Sequence, residues 1–172
     1  MDQNALYERV YRQLHHCTPL KYDCGRICER ACCRGLDQNS GMWLFPGEEE
    51  LLAREPGFQI LPLQRNLANG RPLFWLICAG RCDRARRPLA CRIFPLTPRL
   101  TAKEIIVVEM DPRARPLCPL AKDRRLLEPD FVRAVARICR ELGRDPQIRE
   151  YFLMLSGEIA ELRRLAGLFG ED

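Results

Sequence analysis

Histidine is nearly missing from this 172-residue chain, which has only His15 and His16, side by side near the N-terminus. That makes a Cys-His-Asp nucleophile arrangement hard to build, and neither histidine has a partner at metal-binding spacing, so both read as surface residues. Lysine is almost as scarce: Lys21, Lys103 and Lys122 are the only three among 28 basic residues, and the rest are arginine. No apolar run approaches the roughly 20 residues of a membrane span. The opening residues, Met1-Asp2-Gln3-Asn4, lack the basic and apolar regions of a secretory signal. Glycine-rich phosphate loops, dinucleotide-type glycine triplets and a zinc-protease helix are absent too. These absences lead to the expectation of a soluble, cytoplasmic protein with no membrane association and no announced organic cofactor.

What is plentiful is cysteine, with ten residues. A chain of this length should bury roughly 70% of its unfolded surface, so it does not need the disulfide staples of small secreted domains. In a reducing compartment, grouped cysteines point to metal ligation or thiol chemistry. Four of them crowd into Cys24-Gly25-Arg26-Ile27-Cys28-Glu29-Arg30-Ala31-Cys32-Cys33. Cys78 and Cys82 repeat the same gap, Cys91 sits in Arg-Pro-Leu-Ala-Cys-Arg-Ile-Phe-Pro, and Cys118 precedes a proline. Thiolates grouped on tight turns suit tetrahedral zinc or iron-sulfur ligation. The eight candidate ligands are therefore Cys24, Cys28, Cys32, Cys33, Cys78, Cys82, Cys91 and Cys118. They would supply an iron-sulfur cluster or zinc, in one or two metal centres.

The first cluster cannot be one straight helix around one ion. Cys32 would then lie about 12 Å along the axis from Cys24, whereas sulfurs on one zinc are only about 4 Å apart, given bonds near 2.3 Å. Either the backbone bends, with Gly25 and Gly35 as the expected sites, or the thiols divide between two centres.

The net charge of +5 would suit a nucleic-acid surface if it were concentrated. The arginines instead run along the whole chain. Arg26, Arg30, Arg34, Arg81, Arg84, Arg86, Arg87 and Arg92 lie beside cysteines, where guanidinium groups offset the excess negative charge of thiolate centres. A solvated arginine-rich surface is the plainer reading of the same residues. Nucleic acid is accordingly not the expected partner, a protein partner is left open, and the sequence does not fix an oligomeric state.

Periodicity predicts a helix over 4–17, with Leu6, Val10, Leu14 and Cys17 on one face. Glu48, Glu49 and Glu50 read as the first turn of a short helix running through Arg54, where acidic groups complement the helix dipole. Strands are expected at 58–63 and 73–79, joined around Asn69-Gly70, and at 104–110. A short helix over 88–95 would present Cys91, and Asp111-Pro112-Arg113-Ala114 would form a turn that delivers Cys118. Two helices close the chain, from Pro129 to Gly143 and from Asp145-Pro146 to about Phe169. Cys139 falls on the apolar side of the first, so Cys17 and Cys139 read as core rather than ligands. The expected architecture is α+β: a small single domain over 1–172 with a short antiparallel sheet, cysteine-bearing turns and helices around a metal site, and a C-terminal helical pair. Within it, the cysteine-cluster region would span about 20–121 and the helical region about 123–170. The short strands are expected to pack too little core to fix the cysteine loops by themselves.

The crowded Cys-Cys cluster, Arg87-Pro88-Leu89-Ala90-Cys91-Arg92-Ile93-Phe94-Pro95-Leu96, Asp111-Pro112-Arg113-Ala114 and Cys118-Pro119-Leu120 together resemble the YkgJ-like cysteine-cluster proteins. That family is described as a zinc- or iron-chelating domain with a CxxCxxCC pattern. The match covers roughly residues 20–121, and its three-residue gaps in the first cluster depart from the nominal pattern. The resemblance implies that the eight cysteines named above are ligands. It also implies an alternative function, because the family includes enzymes similar to flagellin lysine N-methylases. Those tend to carry extra regions beyond the cysteine domain, where this chain has only two helices.

Overall fold

The computed structural model describes residues 3–34, 41–80 and 82–168, and its architecture is α+β. Helix α1 (Gln3–Leu14) forms because Leu6, Tyr7, Val10 and Leu14 recur at helical spacing, and all four are buried. It ends three residues before Cys17, which lies after a turn closed by its own N–H on the Leu14 carbonyl (3.2 Å). The first cysteine cluster follows and closes with a single helical turn, α2 (Ala31–Arg34). Next come β1 (Gly41–Trp43) and the short α3 (Glu48–Leu52), which stops two residues earlier than expected.

The expected hairpin is present as β2 (Phe58–Asn66) and β3 (Pro72–Cys78), antiparallel, with Phe58 opposite Cys78. Gly70 turns it at φ +83, and the Asn69 side chain accepts from the Arg71 N–H at 3.0 Å. β1 pairs with the other edge of β3, giving the order β1-β3-β2. Arg71 ties this sheet to its neighbours, donating to Glu49 (2.6 Å) and Glu50 (2.7 Å) on α3 and to Gln3 (3.0 Å) and Gln147 (3.2 Å).

Helix α4 (Leu89–Ile93) follows Pro88, and a second antiparallel sheet follows it, made of β4 (Leu96–Leu100) and β5 (Ile106–Met110). Of these two strands, only β5 is expected from the sequence. Pro98 sits opposite Val108 within β4, and the two-stranded sheet leaves every strand an edge, where a missing N–H is tolerated. The chain closes with α5 (Pro129–Leu142) and α6 (Pro146–Leu168), each opened by proline, as expected.

The main core draws Leu6, Tyr7 and Val10 of α1 together with Phe131, Val135 and Ile138 of α5 and Phe152 and Ile159 of α6, all within 1% of full burial. The same core takes in Leu73, Leu89, Ile93, Leu96, Val108 and Ala114. The turns and strands between the cysteines thus share one interior with the C-terminal helices and do not form a thin layer of their own. A smaller cluster of Leu44, Leu52 and Leu76 fills the space between α3 and the three-stranded sheet. Cys139 is completely buried in the main core, as its apolar stripe predicts. No described helix is long and apolar enough to cross a membrane.

Candidate metal centre

The first cluster is bent, though not at a glycine. A 3₁₀ turn over Cys24–Arg26 is capped by Asp23, whose carboxylate accepts from the Gly25 N–H at 3.1 Å. The chain then reverses at Glu29 and Arg30, with φ of +48 and +60. Two consecutive non-glycine residues in the left-handed region cost about 1–2 kcal/mol each. Helix α2 starts directly after this reversal and carries Cys32 and Cys33. Gly25 has a different task from bending: a Cβ there would stand 2.7 Å from Arg30 Cγ, so glycine lets the Arg30 stem fold back over the turn. Its carbonyl accepts the Arg30 N–H at 3.0 Å. The other expected bend, Gly35, lies outside the described residues.

The remaining thiols arrive on ends and turns. Cys78 terminates β3, Gly80 redirects the chain at φ +82, and Cys82 follows. Asp83 caps the turn Arg84–Arg86, and Pro88 then opens α4 with Cys91 at its centre. Arg92 folds back to donate to the carbonyls of Arg87 (2.5 Å) and Ala85 (2.6 Å) while stacking 4.2 Å from the Tyr11 ring. Cys118 is buried, held by its N–H on the Ala114 carbonyl at 2.8 Å, and precedes the turn Pro119–Lys122.

These segments bring the thiols into one electrostatically connected group. A cleft of about 50 Å³ is lined by Cys24, Cys28, Cys32, Cys91 and Cys118, with Arg84, Arg87 and Arg92 among its walls. Burial raises Cys24, and the neighbouring thiols of Cys118 and Cys28 push it further. Cys118 is likewise raised by burial, and the neighbouring Cys28 thiol adds to the rise. Cys91 is pushed up by burial and by Cys33, Cys82 and Cys78, and Cys78 by burial, Cys82 and Cys33. Cys32 connects the two sets: its hydrogen bond with Cys33 raises it, burial adds to this, and both Cys91 and Cys28 act on it. The same bond lowers Cys33 to about 6, helped by Arg87 and Arg30. Cys33 is thus the thiol most ready to ionise.

The arginine expectation separates residue by residue. Arg84 faces Cys24, Arg30 faces Cys33, and Arg87 faces Cys33, Cys82 and Cys91. Arg34 and Arg86 instead pair with Glu29 and Glu55 on the surface, and Arg81 lies outside the described residues. Arg87 Nε is buried with no hydrogen-bond partner among the described residues. Such an orphan donor is destabilising unless something accepts from it. Its position among three thiols fits an anionic centre there.

Among the described residues, no three His, Cys, Asp or Glu side chains stand in the arrangement of a formed metal site. All ten cysteines are free thiols. The thiols are therefore gathered but not closed on a common point. The donor set is all sulfur, arginine lies at its edge and an unpaired N–H lies inside it, which suits soft, thiolate-bound metal. No family model, curated protein or solved structure matches the chain.

Three residues near the site escape sequence reasoning. Glu48 reads as an acidic first-turn residue complementing the helix dipole, yet it is wholly buried. It accepts from the Tyr11 hydroxyl (2.5 Å), the Phe45 N–H (3.2 Å) and the Leu89 N–H (2.6 Å), and so anchors the first residue of the helix that carries Cys91. Burial raises it to about 7, against the opposing pull of those donors and Arg92. Met42 places its sulfur 3.0 Å from Cys91 Sγ. Cys17 packs against the main core as expected, but from the turn after α1; it is half-buried and also lines the same cleft as the ligand candidates, with its Sγ 3.4 Å from the Gln13 carbonyl. Only the partnership of Tyr11 and Glu48, 37 residues apart, could reveal the first of these. Nothing local marks it.

Proposed function

We propose that the protein is a metal-binding module that holds zinc or an iron-sulfur cluster through Cys24, Cys28, Cys32, Cys33, Cys78, Cys82, Cys91 and Cys118. The observation that carries this reading is their convergence: Cys24, Cys28, Cys32, Cys91 and Cys118, from three distant segments, line one cleft, and Cys32, Cys33 and Cys91 line the cavity beside it, with Arg84 and Arg87 among the walls. Together the eight would hold one iron-sulfur cluster or one to two metal ions. The resemblance to YkgJ-like cysteine-cluster proteins agrees with this reading, and free thiols agree with a cytoplasmic location, where cysteines stay reduced.

The second reading, an enzyme similar to flagellin lysine methylases, needs room for a nucleotide-sized methyl donor. The cavity beside Cys33 and Cys91 is about 200 Å³, and a wider cleft of about 500 Å³ lies beside Glu55, Phe58, Cys82 and Arg86, so volume does not separate the two readings. The binding module is favoured by the gathered thiols with arginine beside them. Metal analysis with an absorption spectrum on protein purified without oxygen tests it. Bound iron with visible colour identifies an iron-sulfur centre, and bound zinc without colour a tetrathiolate site. Protein free of both metals overturns the proposal.

A further inference from the structure

Helix α5 carries a second pattern beside its apolar one. Arg133, Arg137, Arg140 and Arg144 fall four, three and four residues apart, so they share one face, opposite the buried Phe131, Val135, Ile138 and Leu142. Arg144 lies just past the helix, on a turn that continues its winding through an N–H on the Glu141 carbonyl (3.2 Å). All four arginines are exposed, and together they span about 16 Å of axis. The acidic residues that accompany them in sequence do little to offset this charge. Glu141 is turned to α1, where it accepts from Arg9 (2.5 Å) and Gln13 (3.2 Å). Asp145 is buried and caps α6 by accepting from the N–H groups of Gln147 (2.9 Å) and Ile148 (3.2 Å). Asp130 alone shares the surface with the stripe, paired with Arg133 at 2.5 Å, and the two side chains are 89% and 70% exposed. Four guanidinium groups therefore face solvent on one helix against a single carboxylate.

We propose that this stripe is a docking surface for an acidic protein segment, a helix whose Glu or Asp residues recur three and four apart. Such a helix repeats the spacing of the stripe itself, and the planar fork of arginine takes a carboxylate through two parallel N–H bonds. Other polyanions fit the face less well. Single-stranded nucleic acid stacks on exposed aromatic rings, and the one aromatic residue of α5, Phe131, is 1% exposed. Duplex readers place a helix in a groove, whereas α5 lies against the core from Phe131 to Leu142. A helix resting on a membrane surface needs a free apolar face, and that of α5 is spent inside the protein.

The test titrates the full-length protein into a fluorescein-labelled peptide of Glu-Ala-Ala-Glu-Ala-Ala-Ala repeats and follows anisotropy. Binding should be saturable and should weaken as salt is added. Replacing Arg133, Arg137, Arg140 and Arg144 together with glutamine should weaken it about fifteenfold, roughly twofold for each exposed ion pair lost. A control variant, with Arg54, Lys103, Arg115 and Lys122 replaced by glutamine, removes the same charge elsewhere and should bind like the parent. All eight positions are exposed, so both variants should keep the fold, which their urea midpoints check. Duplex DNA of mixed sequence and vesicles containing phosphatidylserine are titrated alongside. The absence of saturable peptide binding overturns the proposal, as does an equal loss in the two variants, which would make net charge the whole effect. Tighter binding of the duplex or the vesicles through the same four arginines overturns the choice of partner. None of these readouts involves the thiols, so this inference and the metal reading fail independently.

Discussion

Replacing Glu48 with glutamine should remove a pH dependence that the fold imposes on itself. Burial raises this carboxyl from 4.5 to about 7, and a tenfold change in proton affinity corresponds to about 1.4 kcal/mol. Because the folded-state value lies above the unfolded one, the group's contribution to stability is fully present below about 4.5 and is lost as pH rises through about 7. The loss amounts to about 3 kcal/mol, or roughly 1.5 M in a urea midpoint for a slope near 2 kcal/mol/M. Glu48→Gln cannot ionise, so its profile should lack this fall. At pH 5 it should lie below the parent by about 1 kcal/mol, because the amide end cannot accept the N–H of Phe45 or Leu89. By pH 8 the two should have converged or crossed. Urea unfolding of both proteins from pH 5 to 8 is the assay, and titration of the cysteines cancels in the difference. Parallel profiles across that range would show that the donors from Tyr11, Phe45 and Leu89 keep Glu48 ionised throughout, and burial would then not govern its titration.

Glu29→Gly should stabilise the protein by about 1 kcal/mol, since φ +48 is strained for glutamate and free for glycine, and the exposed pair with Arg34 contributes little; the urea midpoint checks it. Cys139→Ala should leave metal content unchanged and cost at most about 2 kcal/mol, and Cys17→Ala should also leave it unchanged, because its thiol is turned to the Gln13 carbonyl; metal analysis of both variants decides. S-adenosylmethionine should not raise the melting temperature, whereas a true ligand at a hundred times its dissociation constant would add about 2.7 kcal/mol.

Where the signals are local, the sequence is legible. Pro129, Gly143 and Pro146 bracket α5 and α6, and Asn69-Gly70 marks the β2–β3 turn. Sulfur spacing alone requires a bend or a division among Cys24–Cys33, and the chain does reverse there. The place of the reversal stays hidden in the sequence because left-handed glutamate and arginine carry no glycine signature. β4 is masked by Pro98, which reads as a strand breaker until the sheet is known to have only two strands. Glu48 is concealed because three consecutive glutamates look like a dipole complement, and only tertiary packing buries the first of them and leaves Glu50 exposed. Cys17 is legible in part: α1 stops at Leu14, so Cys17 packs against the main core from the turn that follows the helix, and it lines the cleft as well.

The central claim is that eight thiols act together as metal ligands. Protein purified without oxygen, with its native metal in place, can be titrated with a thiol reagent while iron and zinc release is followed. We expect Cys24, Cys28, Cys32, Cys33, Cys78, Cys82, Cys91 and Cys118 to be protected and to become reactive together, with stoichiometric metal release, when a chelator is added. Metal-free protein in which these eight thiols react at once, with no change on adding chelator, would contradict it.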